Sequence, residues 1–165
     1  MRFIPLLLLI LLSACGSAQS QPVAAGIEID RLLVDKSDRL LIGYAEGREV
    51  VRYKRIRFGD QPRGHKRFEG DERTPEGDYL ISGRNPNSRY HLSLRISYPN
   101  DADRAYAEAH GRSPGGDIFI HGQPNAWPGP ALARDWTDGC IALSNAEIEQ
   151  LWDIVPDGTP ITIRP

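Results

Sequence analysis

The sequence predicts a mostly β chain carrying two short helices. Three observations support this. Short runs rich in Val, Ile, Leu and Tyr alternate with polar residues along most of the chain. Gly and Pro, 16 and 13 of 165 residues, punctuate those runs, and helical spacing of apolar residues occurs in only two places.

The elements follow in order. Residues 27–34 are strand-like, Asp35-Lys36-Ser37-Asp38 turns the chain, and 39–45 is strand-like again. Glu46-Gly47-Arg48 turns into 49–58, so the fold opens with a three-stranded meander. Residues 59–73 are polar, contain Pro62, Gly64 and Gly70, and read as a loop. Thr74-Pro75-Glu76-Gly77-Asp78 is a turn by residue type, because Pro fixes φ and Gly permits positive φ. Strands are expected at 79–82 and 91–98, separated by a loop at 83–89. Pro99-Asn100-Asp101 opens a helix over 102–110, which Gly111 ends. Ser113-Pro114-Gly115-Gly116 then breaks the chain before an apolar strand at 117–121. Residues 122–134 hold three prolines and form an irregular loop. Ser144-Asn145-Ala146-Glu147 is a capping-box pattern for a helix running to about Ile154, with Ile148, Leu151 and Trp152 at core-facing spacing. Residues 159–163 close the fold as a strand.

Three regions are expected along the chain. Residues 1–14 have the parts of a secretory signal: Arg2, then an apolar run over 3–12. That run is too short for a membrane-spanning helix, which needs about 20 residues. Leu12-Ser13-Ala14-Cys15 resembles the lipobox of bacterial lipoproteins, which makes Cys15 a lipid attachment point and 15–26 a flexible leash of small and polar residues. An ordinary cleaved signal with an incidental cysteine is the alternative. The expected location is the periplasmic face of a bacterial membrane. Gly16 in place of Asp after the cysteine favours the outer membrane, by resemblance to enterobacterial lipoproteins. Residues 27–165 form one domain by length.

Lys and Arg total 20 against 22 Asp and Glu, a net charge of −2 with the signs mixed. Arg52, Lys54, Arg55 and Arg57, with Arg63, Lys66 and Arg67, form a basic cluster. Its alternation with Tyr53 and Ile56 fits a strand with one solvated face, and no nucleic-acid signature accompanies it.

Chemistry concentrates at Cys140. With Cys15 lipidated, Cys140 has no partner for an intramolecular disulfide in an oxidising compartment, and His121 lies nineteen positions upstream at the end of an apolar strand. Thiol chemistry needs a base to take the proton and donors for a developing oxyanion. His121 is the candidate base, the Gly122 carbonyl a candidate partner for its other nitrogen, and the N–H groups of Gly139 and Cys140 candidate oxyanion donors. From spacing alone, a lone His after a strand is more often structural than catalytic. No metal or organic cofactor is expected, since Cys140 and His121 are only two ligands and no Cys-x-x-Cys or His-x-x-x-His spacing completes a shell. Trp136 is read as core or rim packing; Tyr90, Ser93 and Tyr98 are left unassigned; His65, His91 and His110 are read as surface histidines.

Residues 27–165 resemble the L,D-transpeptidase catalytic domain of the YkuD type. The resemblance rests on His121-Gly122, on Thr137-Asp138-Gly139-Cys140-Ile141, and on Thr74-Pro75-Glu76-Gly77-Asp78-Tyr79. Two positions depart from the family's usual pattern: Asp138 stands where a second histidine is common, and Ala142 where Arg or Asn is common. Asp135–Ala142 together with 87–100 resembles the YafK-like branch, some of whose members hydrolyse bonds to peptidoglycan. The resemblance implies Cys140 as nucleophile, His121 as base and proton donor, Gly122 as the third member, and Thr137 as the brace of the nucleophile turn. It also implies peptidoglycan stem peptides, or a lipoprotein bound to peptidoglycan, as substrates. Three functions follow from it: a transpeptidase, a hydrolase on the same scaffold, and a non-catalytic wall-binding lipoprotein. Asp138 is expected to point away from the sulfur or to pair with a cation, since a carboxylate beside it disfavours the thiolate.

Overall fold

The computed structural model describes residues 26–165; the leader, Cys15 and the leash to residue 25 lie outside them. The meander forms as the alternation requires. β1 (Arg31–Asp35), β2 (Leu40–Ala45) and β3 (Arg48–Lys54) pair antiparallel, with Leu33 opposite Ile42 and Gly43 opposite Val51. β4 (Gly77–Ser88), β5 (His91–Ile96), β6 (Phe119–His121), β7 (Ile141–Ala142) and β8 (Pro160–Arg164) follow. The eight strands make one mixed sheet in the order β3-β2-β1-β8-β4-β5-β6-β7. β1 with β8, and β6 with β7, are the parallel pairs.

Period-two burial explains which residues face inward. Leu32 and Val34, Val51 and Tyr53, Tyr79 and Ile81, Leu94 and Ile96, and Ile161 and Ile163 are all buried, while the residues between them are more exposed or pack elsewhere. α2 (Asn145–Ile154) lays Ile148, Leu151 and Ile154 against this face. Its N-terminus is closed by the predicted capping box: Ser144 Oγ accepts from Glu147 N–H (3.3 Å) and Glu147 Oε2 accepts from Ser144 N–H (2.9 Å). α1 (Asp101–Ala109) has the same device, built from Asn100 and Asp103.

The chain leaving β3 crosses to the far edge of the sheet. Arg57 exchanges both backbone hydrogen bonds with Ala142 (3.0 and 2.8 Å), and Gly59 bridges to Thr137. The two-residue β7 is thereby paired on both sides instead of standing as an open edge.

Several elements differ from the sequence reading. Residues 27–30 are not in the sheet; Ile29 N–H instead donates to Ile154 O (2.7 Å) at the end of α2. The expected turn at 74–78 is not one: residues 74–76 have no regular structure, and Gly77 and Asp78 already belong to β4. β4 also continues through the expected loop at 83–89, first along β8 and then along β5. Its ladder slips between Ile81 and Gly83 and between Asn85 and Ser88, and these irregularities accommodate Gly83 and Pro86 within a strand. His65 is not a surface residue. Its Nδ1 accepts from Glu76 N–H (2.8 Å), so Nε2 carries the proton to Asp103 Oδ1 (2.9 Å), and Tyr79 Oη donates to the other oxygen of Asp103 (2.9 Å). Lys36, its side chain 3% exposed, fastens the same loop through Gly64 O, Thr74 O and Glu76 Oε1. Lys66 likewise leaves the basic cluster to pair, buried, with Asp71 (3.0 Å). Arg52, Lys54 and Arg55 are exposed, as a solvated strand face requires.

Candidate active site

β6 and β7 set the site by alternation. Ile120 and Ile141 are register partners and face the core, which turns Phe119, His121 and Cys140 to the opposite face. There His121 and Cys140 line a groove of about 610 Å³ with Tyr90, Ser93, Trp136 and Asp138. A second concavity, of about 650 Å³ and lined by Lys66, Arg95 and Tyr98, shares Asp117 and Asp138 with the first. The sulfur itself lines only the first.

The turn that carries Cys140 is held by its own side chains and by the backbone of Phe58. Thr137 Oγ1 donates to Cys140 O (2.7 Å) and accepts from Gly139 N–H (3.2 Å). Trp136 and Thr137 both donate backbone N–H groups to Phe58 O (3.1 and 3.2 Å). Asp135 is gripped by two Arg39 nitrogens at 2.7 Å each and accepts from Phe58 N–H (3.0 Å). Although burial opposes it, this set of donors, Arg39 foremost, holds the Asp135 carboxyl below its ordinary value. Gly139 has φ +128, and a Cβ there would stand 2.5 Å from Arg73 O, so the turn requires glycine.

The sulfur accepts from Phe119 N–H (3.4 Å) and donates to Asp117 O (3.5 Å). Burial pushes the thiol up to about 11; the Phe119 N–H opposes this, and the charges of Asp138 and Asp117 add to it. His121 is 2% exposed, and its Nδ1 lies 2.8 Å from Gly122 O. A carbonyl can only accept, so Nδ1 carries the proton and Nε2 the lone pair. Burial pushes this imidazole down to about 4, against the Gly122 carbonyl. Gly122 is also constrained by space, since a Cβ would stand 2.6 Å from Asn145 Oδ1. At rest the pair is a neutral thiol and a neutral imidazole.

The structure thus gathers Thr137, Gly139, Cys140, His121 and Gly122 in one place. Two expectations change. The Gly139 N–H is directed to Thr137 Oγ1 and not into the groove, because the turn uses it for its own closure. Asp138 neither points away nor pairs with a cation among the described residues; it lines both concavities and raises the thiol through its charge. The sequence reading missed the backbone of Asp117 and Phe119 at the sulfur, and the two aromatic rings around His121. Tyr90 stacks on the imidazole at 4.6 Å between centroids, and Trp136 meets it edge-on at 5.5 Å. Only the hairpin position of Tyr90 could have signalled this. Among the described residues no group of three or more His, Cys, Asp or Glu side chains gathers as a metal site.

A mixed sheet thus brings the Cys140 thiol and a buried, tautomer-fixed imidazole to one groove. The chain belongs to the YkuD family, the L,D-transpeptidase catalytic domain, whose model matches residues 29–163. It is 32% identical over 94 residues to YafK of Escherichia coli (strain K12), which bears an L,D-transpeptidase name. That match covers 56% of this chain and 32% of the relative, so the chain spans about a third of the curated protein it resembles. Among solved structures, the helical cell shape determining protein Pgp2 from Campylobacter jejuni is 28% identical with a TM-score of 0.64, over 84% of this chain and 48% of that one. Bd1075 of Bdellovibrio bacteriovorus is 26% identical with a TM-score of 0.56, over 86% and 49%. An L,D-transpeptidase from Xylanimonas cellulosilytica, 17% identical with a TM-score of 0.56 over 87% and 64%, shares the fold.

Proposed function

We propose that the chain is a cysteine-dependent L,D-transpeptidase acting on peptidoglycan stem peptides through an acyl-enzyme on Cys140. The observation that carries this reading is the buried His121, its Nδ1–H held by Gly122 O, sharing a groove with Cys140 in a member of this family. The Cys140 proton passes to His121 Nε2 as the sulfur attacks the amide carbonyl at the L-centre of a diamino acid. The C–N bond then breaks, His121 returns the proton to the leaving amine, and a thioester remains. With the thiol high and the imidazole low, proton transfer accompanies attack and no ion pair stands ready beforehand. Thr137 braces the turn. Since Gly139 spends its N–H on Thr137, the Cys140 N–H is the oxyanion donor of the pair. An amine acceptor completes transfer, with His121 taking its proton, and the second concavity, which meets the first at Asp117 and Asp138, gives that acceptor room.

Asp138 favours a second reading. A carboxylate at the groove, next to the thioester, can orient a water, and water as acceptor makes the enzyme a carboxypeptidase or an amidase that frees a protein bound to peptidoglycan. The leader and Cys15 support a lipid-anchored protein at the periplasmic face of the membrane.

Mass spectrometry of sacculi, with and without covalently bound lipoprotein, tests both readings after incubation with soluble wild type or Cys140→Ala. New crosslinks or exchanged D-amino acids mean transfer. Trimmed stems or released lipoprotein without new bonds mean hydrolysis. Identical products from wild type and Cys140→Ala would reject both and leave a wall-binding lipoprotein.

A further inference from the structure

Two aromatic side chains enclose the imidazole, and each is fastened independently. Tyr90 lies nearly face-on to His121, with centroids 4.6 Å and planes 27° apart. Trp136 meets the ring edge-on at 5.5 Å and 65°, and the two aromatic rings touch each other at 5.6 Å. Tyr90 sits at the turn between β4 and β5. Its N–H donates to Ser88 Oγ (3.0 Å), and its carbonyl accepts from the N–H of Gly122, the residue after the histidine (3.0 Å). Asn125 ties the flanks of this turn together, donating to Ser88 O (2.9 Å) and accepting from His91 N–H (2.8 Å). Trp136 is anchored through Phe58 O and through the neighbouring Asp135–Arg39 pair.

The indole supplies a separate indication. Trp136 Nε1 is buried with no hydrogen-bond partner among the described residues. An orphaned buried donor is costly, and a purely space-filling position would take Phe or Leu and avoid it. Keeping Trp here places an indole edge against His121 at the expense of that donor.

We propose that Tyr90 and Trp136 are positioning residues that act on the reaction through His121, holding the ring in one plane with Nε2 available to the sulfur and keeping water off its faces. The proposal rests on the reading of His121 as the base. An imidazole in water titrates near 6.5, and enclosure of this kind holds it neutral well below that value. The ionisable groups around the ring are Tyr90 from the hairpin, Cys140 and Asp138 from the nucleophile turn, and Asp117 and Arg89 elsewhere in the groove lining. Beyond them His91 is paired with Glu149 of α2 (2.6 Å). The histidine's shift has its source in burial, opposed by the Gly122 carbonyl, and in none of these charges.

The test separates the ring's environment from turnover. Histidine resonances are titrated by NMR in Cys140→Ala protein carrying either native Tyr90, Tyr90→Phe or Tyr90→Ala. His121 is expected to titrate near 4 with Tyr90 or Tyr90→Phe, and about a unit or more higher in Tyr90→Ala. With Cys140 restored, Tyr90→Ala is expected to lose about tenfold or more in kcat, with little change in KM and its acid limb moved upward. Tyr90→Phe should recover most of the rate and the parental pH profile. Trp136→Phe, which keeps a smaller ring, should shift His121 upward by less than Tyr90→Ala. If Tyr90→Ala fails to fold, Tyr90→Val, which restores part of the volume but leaves the imidazole face open to water, carries the same test. An unmoved His121 in a folded Tyr90→Ala or Tyr90→Val protein overturns the proposal. So does a Tyr90→Phe variant as impaired as the alanine, since the hydroxyl and not the ring would then matter. A wild type inactive on sacculi, with the His121 shift in place, rejects the proposed function and leaves the enclosure of the ring supported.

Discussion

Gly139→Ala probes how tightly the nucleophile turn is pressed against the loop beneath it. The added Cβ would stand 2.5 Å from Arg73 O and 3.3 Å from Ile118 Cδ1, where ordinary contact begins near 3.4 Å, so the carbonyl or the turn must retreat by about 1 Å. At φ +128 a non-glycine residue adds backbone strain of about 1–3 kcal/mol. With about 1–2 kcal/mol for the forced contact, the expected loss is about 2–5 kcal/mol. In urea, at about 2 kcal/mol per molar for a chain of this size, the midpoint should fall by about 1–2.5 M. Two other glycines divide the effect into its parts. Gly47 has φ +74 and nothing within 4 Å, so Gly47→Ala carries backbone strain alone, about 1–2 kcal/mol. Gly83 also has open space and lies outside the left-handed region, so Gly83→Ala should be neutral or stabilising by up to about 1 kcal/mol. A Gly139→Ala midpoint no lower than that of Gly47→Ala would refute the claim that Arg73 O confines the turn.

Iodoacetamide alkylation of Cys140 should rise steeply from pH 8 toward 11. Asp138→Asn should move that profile to lower pH and speed labelling at pH 8, whereas an unmoved profile would mean the carboxylate's charge does not reach the sulfur. His121 titrates near 4 when folded and near 6.5 when unfolded, so between those values the unfolded chain binds more protons. Its contribution, about 3 kcal/mol, is full above pH 6.5 and lost as pH falls to 4; urea melts across that window should show the slope, and His121→Gln should flatten it. Asp135→Asn should cost about 1–2 kcal/mol at neutral pH, discounted because Arg39 is 35% exposed. As the folded Asp135 titrates below its unfolded value, that cost should shrink and then vanish as pH falls through the folded pKa; calorimetry of both proteins from pH 7 downward follows the difference. Ser144→Ala should lower stability by about 1 kcal/mol in a thermal melt, through the lost α2 cap, without altering Cys140 alkylation.

The sequence was most legible where a local rule decides. The meander follows from alternation and turns, and α2 from a capping box that the structure reproduces atom for atom. It was least legible where partners from elsewhere decide. Gly83 and Pro86 read as a loop because each weakens a regular strand, yet β8 and β5 together hold β4 extended and place both residues in ladder irregularities. β7 is two residues long, too short for any periodicity, and exists because Arg57 and Ile120 flank it. At the site, Cys140, His121 and Thr137 were recognisable as chemistry and as motif. Tyr90 was not, because only the pairing of β4 with β5, and of β5 with β6, carries it over the imidazole. His65 was misread for the complementary reason: its partners Asp103 and Glu76 lie 38 and 11 residues away, and nothing local announces them.

The position of β8 decides when the sheet can form as one piece. β8 lies between β1 and β4, with Leu32 opposite Ile161 and Tyr79 opposite Ile161 on the other side. Until residues 160–164 arrive, the meander and the half of the sheet bearing Cys140 have no common ladder. Joining them closes a loop of about 130 residues, an entropic toll near 4 kcal/mol that keeps assembly in the slow range typical of non-local pairings. Before that pairing forms, the chain carries Cys140 on a half-sheet that no strand ties to the meander.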